Sequence, residues 1–190
     1  MGFGTLFIGY ALSLNFITKQ GIFWCLSSLI MFLGLQKLSA YNRHFKNALY
    51  IDLLMVAASL PFAVLEILSL LHFNVNTAIS VFVLIHPIVM AVFTWVLLLG
   101  VEEISRETQL PDQRGRAIIQ RKLSLIFYVP LIIMNVFPTL LPKDSVAAAK
   151  TVLVLTIVTV CIGIVYIALN LRLLYSCYMW ITLPDGEDEK

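Results

Sequence analysis

Charge is what this chain of 190 residues has least of. Lys, Arg, Asp and Glu together make up 13% of it, whereas apolar residues make up 60% and the mean hydropathy is +0.93. Soluble domains carry about 25% charged residues, so a water-soluble core under a charged shell is excluded. Cysteine is also scarce. Cys25, Cys161 and Cys177 form an odd set without CxxC or Cys/His spacing, which excludes a disulfide framework and a zinc site. All three read as small buried hydrophobes. There is no HExxH, no GxSxG, no catalytic pair of aspartates, no nucleotide-binding loop and no Asp-rich metal motif, so no catalytic residue, metal site or cofactor is expected and the chain does not read as an enzyme. A net charge of +2 is too small for a nucleic-acid surface.

The opening Met1-Gly2-Phe3-Gly4-Thr5-Leu6 has no positive n-region and no cleavage site of the signal-peptide kind, so it reads as part of a first membrane span. Leu6 stands where a myristoylation motif needs Ser or Thr. N-x-S/T acceptor sites are missing too. Together these absences point to a multi-pass protein of a bacterial inner (plasma) membrane.

What the chain does have is six apolar stretches near the length of about 20 residues that a span needs: Phe3 to Thr18, Ile22 to Leu38, Ala48 to Leu71, Thr77 to Val101, Leu123 to Leu141 and Val146 to Leu174. The first is short and interrupted by Asn15, which leaves a five-span protein with an interfacial first helix as the alternative. Eight of the thirteen Lys and Arg lie between Lys37 and Lys46 or between Arg106 and Lys122. Loops rich in Lys and Arg stay in the cytoplasm. With both termini inside, ten of these cations face the cytoplasm and only Lys19, Lys143 and Lys150 face outward. The expected fold is therefore an all-α integral membrane protein, a six-helix transmembrane bundle with kinked middle helices and an N-in/C-in topology. A single membrane domain covers 1–183 and a short acidic cytoplasmic tail covers 184–190.

Several finer expectations follow. Tyr41, Tyr175, Tyr178 and Trp180 fit an inner aromatic belt and Trp24 an outer one. Glu102 and Glu103 can pair with Arg106 at helical spacing, and Asp112 can cap a helix leading into span five. Arg43, Arg114, Arg116, Arg121 and Lys122 are placed to meet anionic lipid headgroups. Leu33-Gly34-Leu35 through Ser39 resembles Leu99-Gly100-Val101 through Ser105, the trace of a repeated helical hairpin.

Proline and polar side chains are concentrated in the same spans. Pro61 lies in span three, Pro87 in span four, and Pro130 and Pro138 in span five; each removes a helical donor and frees a carbonyl four residues back. At about 100° per residue, Asp52, Ser59, Ala63 and Glu66 share one stripe of span three. His86 stands beside Pro87 near the bilayer midplane, and Asn135 lies between the two prolines of span five. Ionisable groups are expensive in hydrocarbon and mark functional sites. Asp52, Glu66, His86 and Asn135 are thus the candidate ligand-binding residues, lining a polar cavity between spans three to five. Taken singly, each also has a plain structural reading. Asp52 can pair with Arg43, Lys46 or Arg172, Glu66 can meet water or Lys19, Lys143 or His72, His86 can donate to a freed carbonyl, and Asn135 can join two helices.

The expected role is a transport-related or small-ligand-binding membrane subunit. The alternative is a non-catalytic accessory protein that binds a larger membrane complex through small-residue faces such as Gly9/Ser13 or Ser59/Ala63. In length and span number the chain is similar to the substrate-binding S-components of energy-coupling-factor transporters. Their first helix carries an AxxxA-type docking motif, for which Gly9-x-x-x-Ser13 is the nearest counterpart here. The likeness is one of length and topology, and no functional residue is carried over.

Overall fold

The computed structural model describes residues 2–13, 21–70, 76–140 and 146–181. Asn15, Lys19, His72, Lys143 and the acidic tail lie outside the described residues. Within them there are six helices and no strands: α1 (Gly2–Ser13), α2 (Gly21–Leu38), α3 (Arg43–Leu70), α4 (Asn76–Glu107), α5 (Pro111–Leu140) and α6 (Val146–Trp180). Five of them, α2 to α6, are long and apolar enough to cross a membrane. The twelve residues of α1 rise only about 18 Å at 1.5 Å per residue, short of a hydrocarbon core about 30 Å thick. Helices α3, α4 and α5 run unbroken through Pro61, Pro87 and Pro130.

Each helix packs on its chain neighbour, and α6 closes back on α1. The result is a ring of antiparallel helices whose outward faces are apolar. Leu54, Val64, Val92, Leu125, Val154 and Ile164 are all exposed, as is Cys161, which therefore departs from the expectation that all three cysteines are buried. The inward side is a mostly apolar core that includes Leu6, Met31, Leu35, Phe45, Phe93 and Leu97, with Tyr10, Asp52, Thr94, Tyr128 and Asn170 set in it, each at most 2% exposed. A soluble bundle would carry polar side chains on its outward faces. Outward apolar faces of this extent need a lipid solvent, because water would leave them as one continuous exposed patch.

On the basic side, α3, α4, α5 and α6 extend beyond their apolar stretches. Helix α5 starts at Pro111, twelve residues before the apolar run at Leu123. Its start differs from expectation: Leu110 takes the cap position, its carbonyl accepting from Arg114 N–H at 3.1 Å, and Pro111 fills the first helical position, where its missing donor costs nothing. Asp112 sits inside the first turn, its carboxylate beside the positive end of the helix dipole. Helix α4 ends just before this, with Gln109 in the left-handed region at φ 56°. Leu110 N–H bonds to Ser105 carbonyl and Gln109 N–H to Arg106 carbonyl, the paired closure of a Schellman end.

Glycines set the closest helix contacts. A Cβ on Gly34 would stand 2.8 Å from Leu6 N and 2.9 Å from Gly2 O, and one on Gly9 would stand 2.7 Å from Met31 N. Backbones of α1 and α2 therefore touch, and Ser27 Oγ donates to the Gly9 carbonyl at 2.8 Å. Gly100 of α4 admits Phe45 of α3, and Gly163 of α6 admits Phe127 of α5, so each even-numbered helix carries a glycine against the helix that precedes it. Gly34→Ala should separate α1 from α2 and destabilise the protein by about 1–3 kcal/mol, the usual range for overpacking. Thermal unfolding in detergent would show it as a lower Tm; an unchanged Tm would mean that the two backbones are not in contact.

Candidate functional site

At the centre of the ring, side chains from four helices meet through hydrogen bonds. Thr94 Oγ1 of α4 lies 3.4 Å from Tyr10 Oη of α1 and 3.2 Å from Tyr128 Oη of α5. Asn170 Nδ2 of α6 donates to Tyr10 Oη at 3.2 Å. A hydroxyl both donates and accepts, so the geometry allows donation in one direction from Asn170 through Tyr10 and Thr94 to Tyr128. One turn before Asn170, the Tyr166 ring stacks on Phe127 at 4.9 Å and meets Tyr128 edge-on at 6.0 Å. Gly163 makes room for Phe127, since a Cβ there would lie 2.9 Å from its ring. Tyr166 Oη and Asn170 Oδ1 make no short hydrogen bond, but the Tyr166 hydroxyl lies near enough to interact with both Tyr10 and Asn170, so it belongs to the same buried polar cluster.

A second cluster joins α2, α3 and α4 toward the end away from the basic loops. Trp24 lies between the Phe62 ring, 5.4 Å away at 21°, and the His86 ring, 4.0 Å away at 9°. A Cβ at Gly21 would collide with the Phe62 ring, so glycine is needed there for Phe62 to lie across α2. Glu66 Oε2 accepts from Ile22 N–H at 3.2 Å, placing a carboxylate at the N-terminus of α2, where unpaired donors and the helix dipole favour it. Trp24 is buried and so does not act as an outer belt anchor. Tyr41, Tyr175, Tyr178 and Trp180 are exposed.

The sequence-predicted residues are thus divided. Glu66 and His86 belong to one cluster, each reaching α2 and each on a different helix. Asn135 is half-buried on α5, and neither cluster above includes it. Asp52 is fully buried on α3 and neither carboxylate oxygen has a partner, so it does not pair with Arg43, Lys46 or Arg172. It lies fourteen residues from Glu66, about 21 Å along the helix. The central cluster of Tyr10, Thr94, Tyr128, Tyr166 and Asn170 was not anticipated. Asn170 gave the one usable signal, an amide inside the sixth apolar stretch. The tyrosines are hidden from sequence reasoning because tyrosine is common at both membrane interfaces, and only the packing shows which ones turn inward.

The basic end is tied together by ion pairs. Glu103 contacts Asn42 Nδ2, His44 Nε2 at 3.5 Å and Arg106 at 3.6 Å, linking α4 to the start of α3, where Asn42 Oδ1 also caps His44 N–H. Glu102 pairs not with Arg106 but with Arg121 of α5 at 2.7 Å. That guanidinium also lies 5.3 Å from the Trp95 ring centroid. Arg121 is therefore held by the bundle and departs from the headgroup set, whereas Arg43, Arg114, Arg116 and Lys122 are exposed. Gln113 Nε2 joins α5 to α6 through Ser176 Oγ at 3.2 Å.

The small-residue faces expected to bind a partner are used internally. Gly9 packs on Met31, Ser13 is buried with its hydroxyl on the Tyr10 carbonyl, and the Ala63 backbone faces Gly21. Among the described residues no three His, Cys, Asp or Glu side chains are grouped to hold a metal ion. Compared with protein-family models, with curated proteins and with solved structures, the chain finds no match in any of the three.

Thr94→Val would remove the hydroxyl shared by Tyr10 and Tyr128 while keeping the volume. Leaving buried hydroxyls unpaired costs about 1–3 kcal/mol, though interhelical hydrogen bonds in membranes average nearer 0.6 kcal/mol. The expected result is a lower Tm for Thr94→Val, and a smaller added loss for Tyr128→Phe in the Thr94→Val background than in the wild type. Fully additive losses would show that the hydroxyls do not interact.

Proposed function

We propose that the protein is a transport-related or small-ligand-binding subunit of a bacterial inner membrane, with both termini in the cytoplasm and all six helices in the bilayer. The observation that supports this most is the buried polar cluster, in which hydroxyl and amide groups from α1, α4, α5 and α6 converge within the apolar core. A bundle that needed only stability would fill this space with apolar side chains, since polar groups add little net stability in hydrocarbon. Retaining them fits recognition of a polar solute by hydrogen bonds, with the tyrosine rings supplying apolar contact.

In this reading Tyr10, Thr94, Tyr128, Tyr166 and Asn170 form the centre of the site. Asp52 is level with them along the bundle, and Glu66 and His86, which meet α2 toward the end away from the basic loops, are with Asn135 the further candidate ligand residues. Arg43, Arg114, Arg116 and Lys122 meet anionic headgroups and fix the cytoplasmic face. The role calls for no catalytic step and no cofactor. An accessory role through Gly9/Ser13 or Ser59/Ala63 is less well supported, because those faces are already occupied within the bundle.

Native mass spectrometry of the protein gently extracted from its own membrane tests this directly. The reading expects a retained small molecule in the wild type that is lost in Thr94→Val and Tyr128→Phe. A co-purifying membrane-protein partner with no small molecule in any variant would overturn it in favour of the accessory role.

A further inference from the structure

Helix α3 turns one face inward from Phe45 to Phe62. Phe45, Ala48, Asp52, Met55, Ser59 and Phe62 are all buried and alternate in steps of three and four residues, the spacing of a continuous helical seam. Five of the six are apolar or a hydroxyl. The sixth is a carboxylate, with no exposed surface and no hydrogen-bond partner on either oxygen.

The register of the neighbouring helices places this carboxylate. Across α3 and α4, Asn42 meets Glu103 and Phe45 meets Gly100; the helices are antiparallel and rise equally, so Asp52 is level with Phe93 and Thr94. Across α2 and α3, Phe62 meets Gly21, which sets Asp52 level with Met31. That methionine packs on Gly9, next to Tyr10. Asp52 therefore lies in the layer of the bundle that contains the Tyr10–Thr94–Tyr128 hydroxyls and Asn170.

No charge from the packed helices reaches that layer. From α4 the nearest titratable side chain is His86, stacked on Trp24 about 10 Å toward the far end, and from α2 Cys25 and Lys37 are each six residues, about 9 Å, from the level of Met31. Lys37 of α2 is exposed at the basic end. Glu102 and Glu103 of α4 are engaged there by Arg121 and by Asn42, His44 and Arg106. By register, Met31 of α2 and Phe93 of α4 stand at the height of Asp52, and the hydroxyl layer lies at the same level of the bundle. A bare carboxylate in such a place carries a large desolvation penalty unless a positive charge joins it. Hydroxyl and amide oxygens are hard ligands, suited to small hard cations and not to soft metals.

We propose that Asp52 is an intramembrane cation site, its carboxylate taking one monovalent cation, a proton or an alkali-metal ion, that is coupled to ligand binding in the adjoining layer. The coupling rests on the binding role proposed above; the cation site does not. With a proton, the charge is neutralised by an O–H bond on one carboxylate oxygen. With sodium, the carboxylate stays ionised and the ion takes its remaining oxygens from the layer or from water.

The full chain, reconstituted in lipid nanodiscs without added solute, provides the test. Infrared spectra of protein labelled with 13C-aspartate would be recorded at neutral pH for the wild type and Asp52→Asn, and Tm would be measured as sodium chloride replaces choline chloride at constant ionic strength. A label-shifted protonated carboxyl band, missing from Asp52→Asn and indifferent to sodium, assigns the site to the proton. A Tm that rises by several degrees with sodium in the wild type and not in Asp52→Asn assigns it to an alkali-metal ion. A wild-type spectrum with only ionised aspartate, together with a Tm that ignores sodium, overturns the proposal. Both wild-type readouts stand even if Asp52→Asn fails to fold. A positive result with no small molecule retained in native mass spectrometry would leave the cation site in place and remove the ligand-binding role.

Discussion

Hydrocarbon cannot hydrogen-bond, and the rest of this structure depends on that constraint. Every polar group within the bilayer must find its partner in the protein. The helical backbone satisfies itself, so the remaining question is where the side-chain hydroxyls, amides and acids go. Tyr10, Asp52, Thr94, Tyr128 and Asn170 turn inward among apolar core residues, and the outward faces are left to side chains such as Leu54, Val92 and Val154. The ring closure of α6 on α1 is what gives the inward groups a common interior, because an open row of hairpins would leave Tyr10 on one edge and Asn170 on the other.

Closure in turn requires small residues at the contacts. Gly9 and Gly34 bring α1 and α2 together at backbone distance, and Gly100 and Gly163 receive aromatic rings from the preceding helix. In lipid there is little hydrophobic drive between helices, so close van der Waals packing and interhelical hydrogen bonds carry the association. The basic end adds a second kind of tie. Glu102–Arg121 and the contacts of Glu103 hold α3, α4 and α5 in register, and Gln113–Ser176 extends the register to α6. Exposed ion pairs contribute only about 0–1 kcal/mol each, so their weight lies in fixing which residues are level inside the ring.

Much of this was legible in the chain. Apolar stretches gave the helices to within a few residues at most ends, because span length is set by bilayer thickness. At the basic end α3 and α6 continue as helix beyond their apolar stretches, while α4 and α5 extend around the break at Leu110-Pro111 as their sequence suggests. Of the stripe Asp52, Ser59, Ala63 and Glu66, the first two are buried and the last two half-buried. Periodicity cannot say which helices are neighbours, however. It could not place Trp24 against His86, assign Arg121 to Glu102, or collect Tyr10, Thr94, Tyr128 and Asn170 from across 160 residues of chain. Those depend on ring closure, a tertiary fact with no local signature.

Closure between the first and last helices is the feature on which the interior depends, and a disulfide trap measures it. Gly4 of α1 faces the Tyr178 ring of α6, and Phe7 lies 6.1 Å from Tyr175 between ring centroids. Cysteines replacing Gly4 and Tyr178, in a background without Cys25, Cys161 and Cys177, should cross-link on mild oxidation in native membranes, within a single chain. A pair of cysteines replacing Gly2 and Leu38, across α1 and α2, serves as the positive control. Control cross-linking without any between Gly4 and Tyr178 would mean that α6 does not close on α1, and the polar interior described here would not exist.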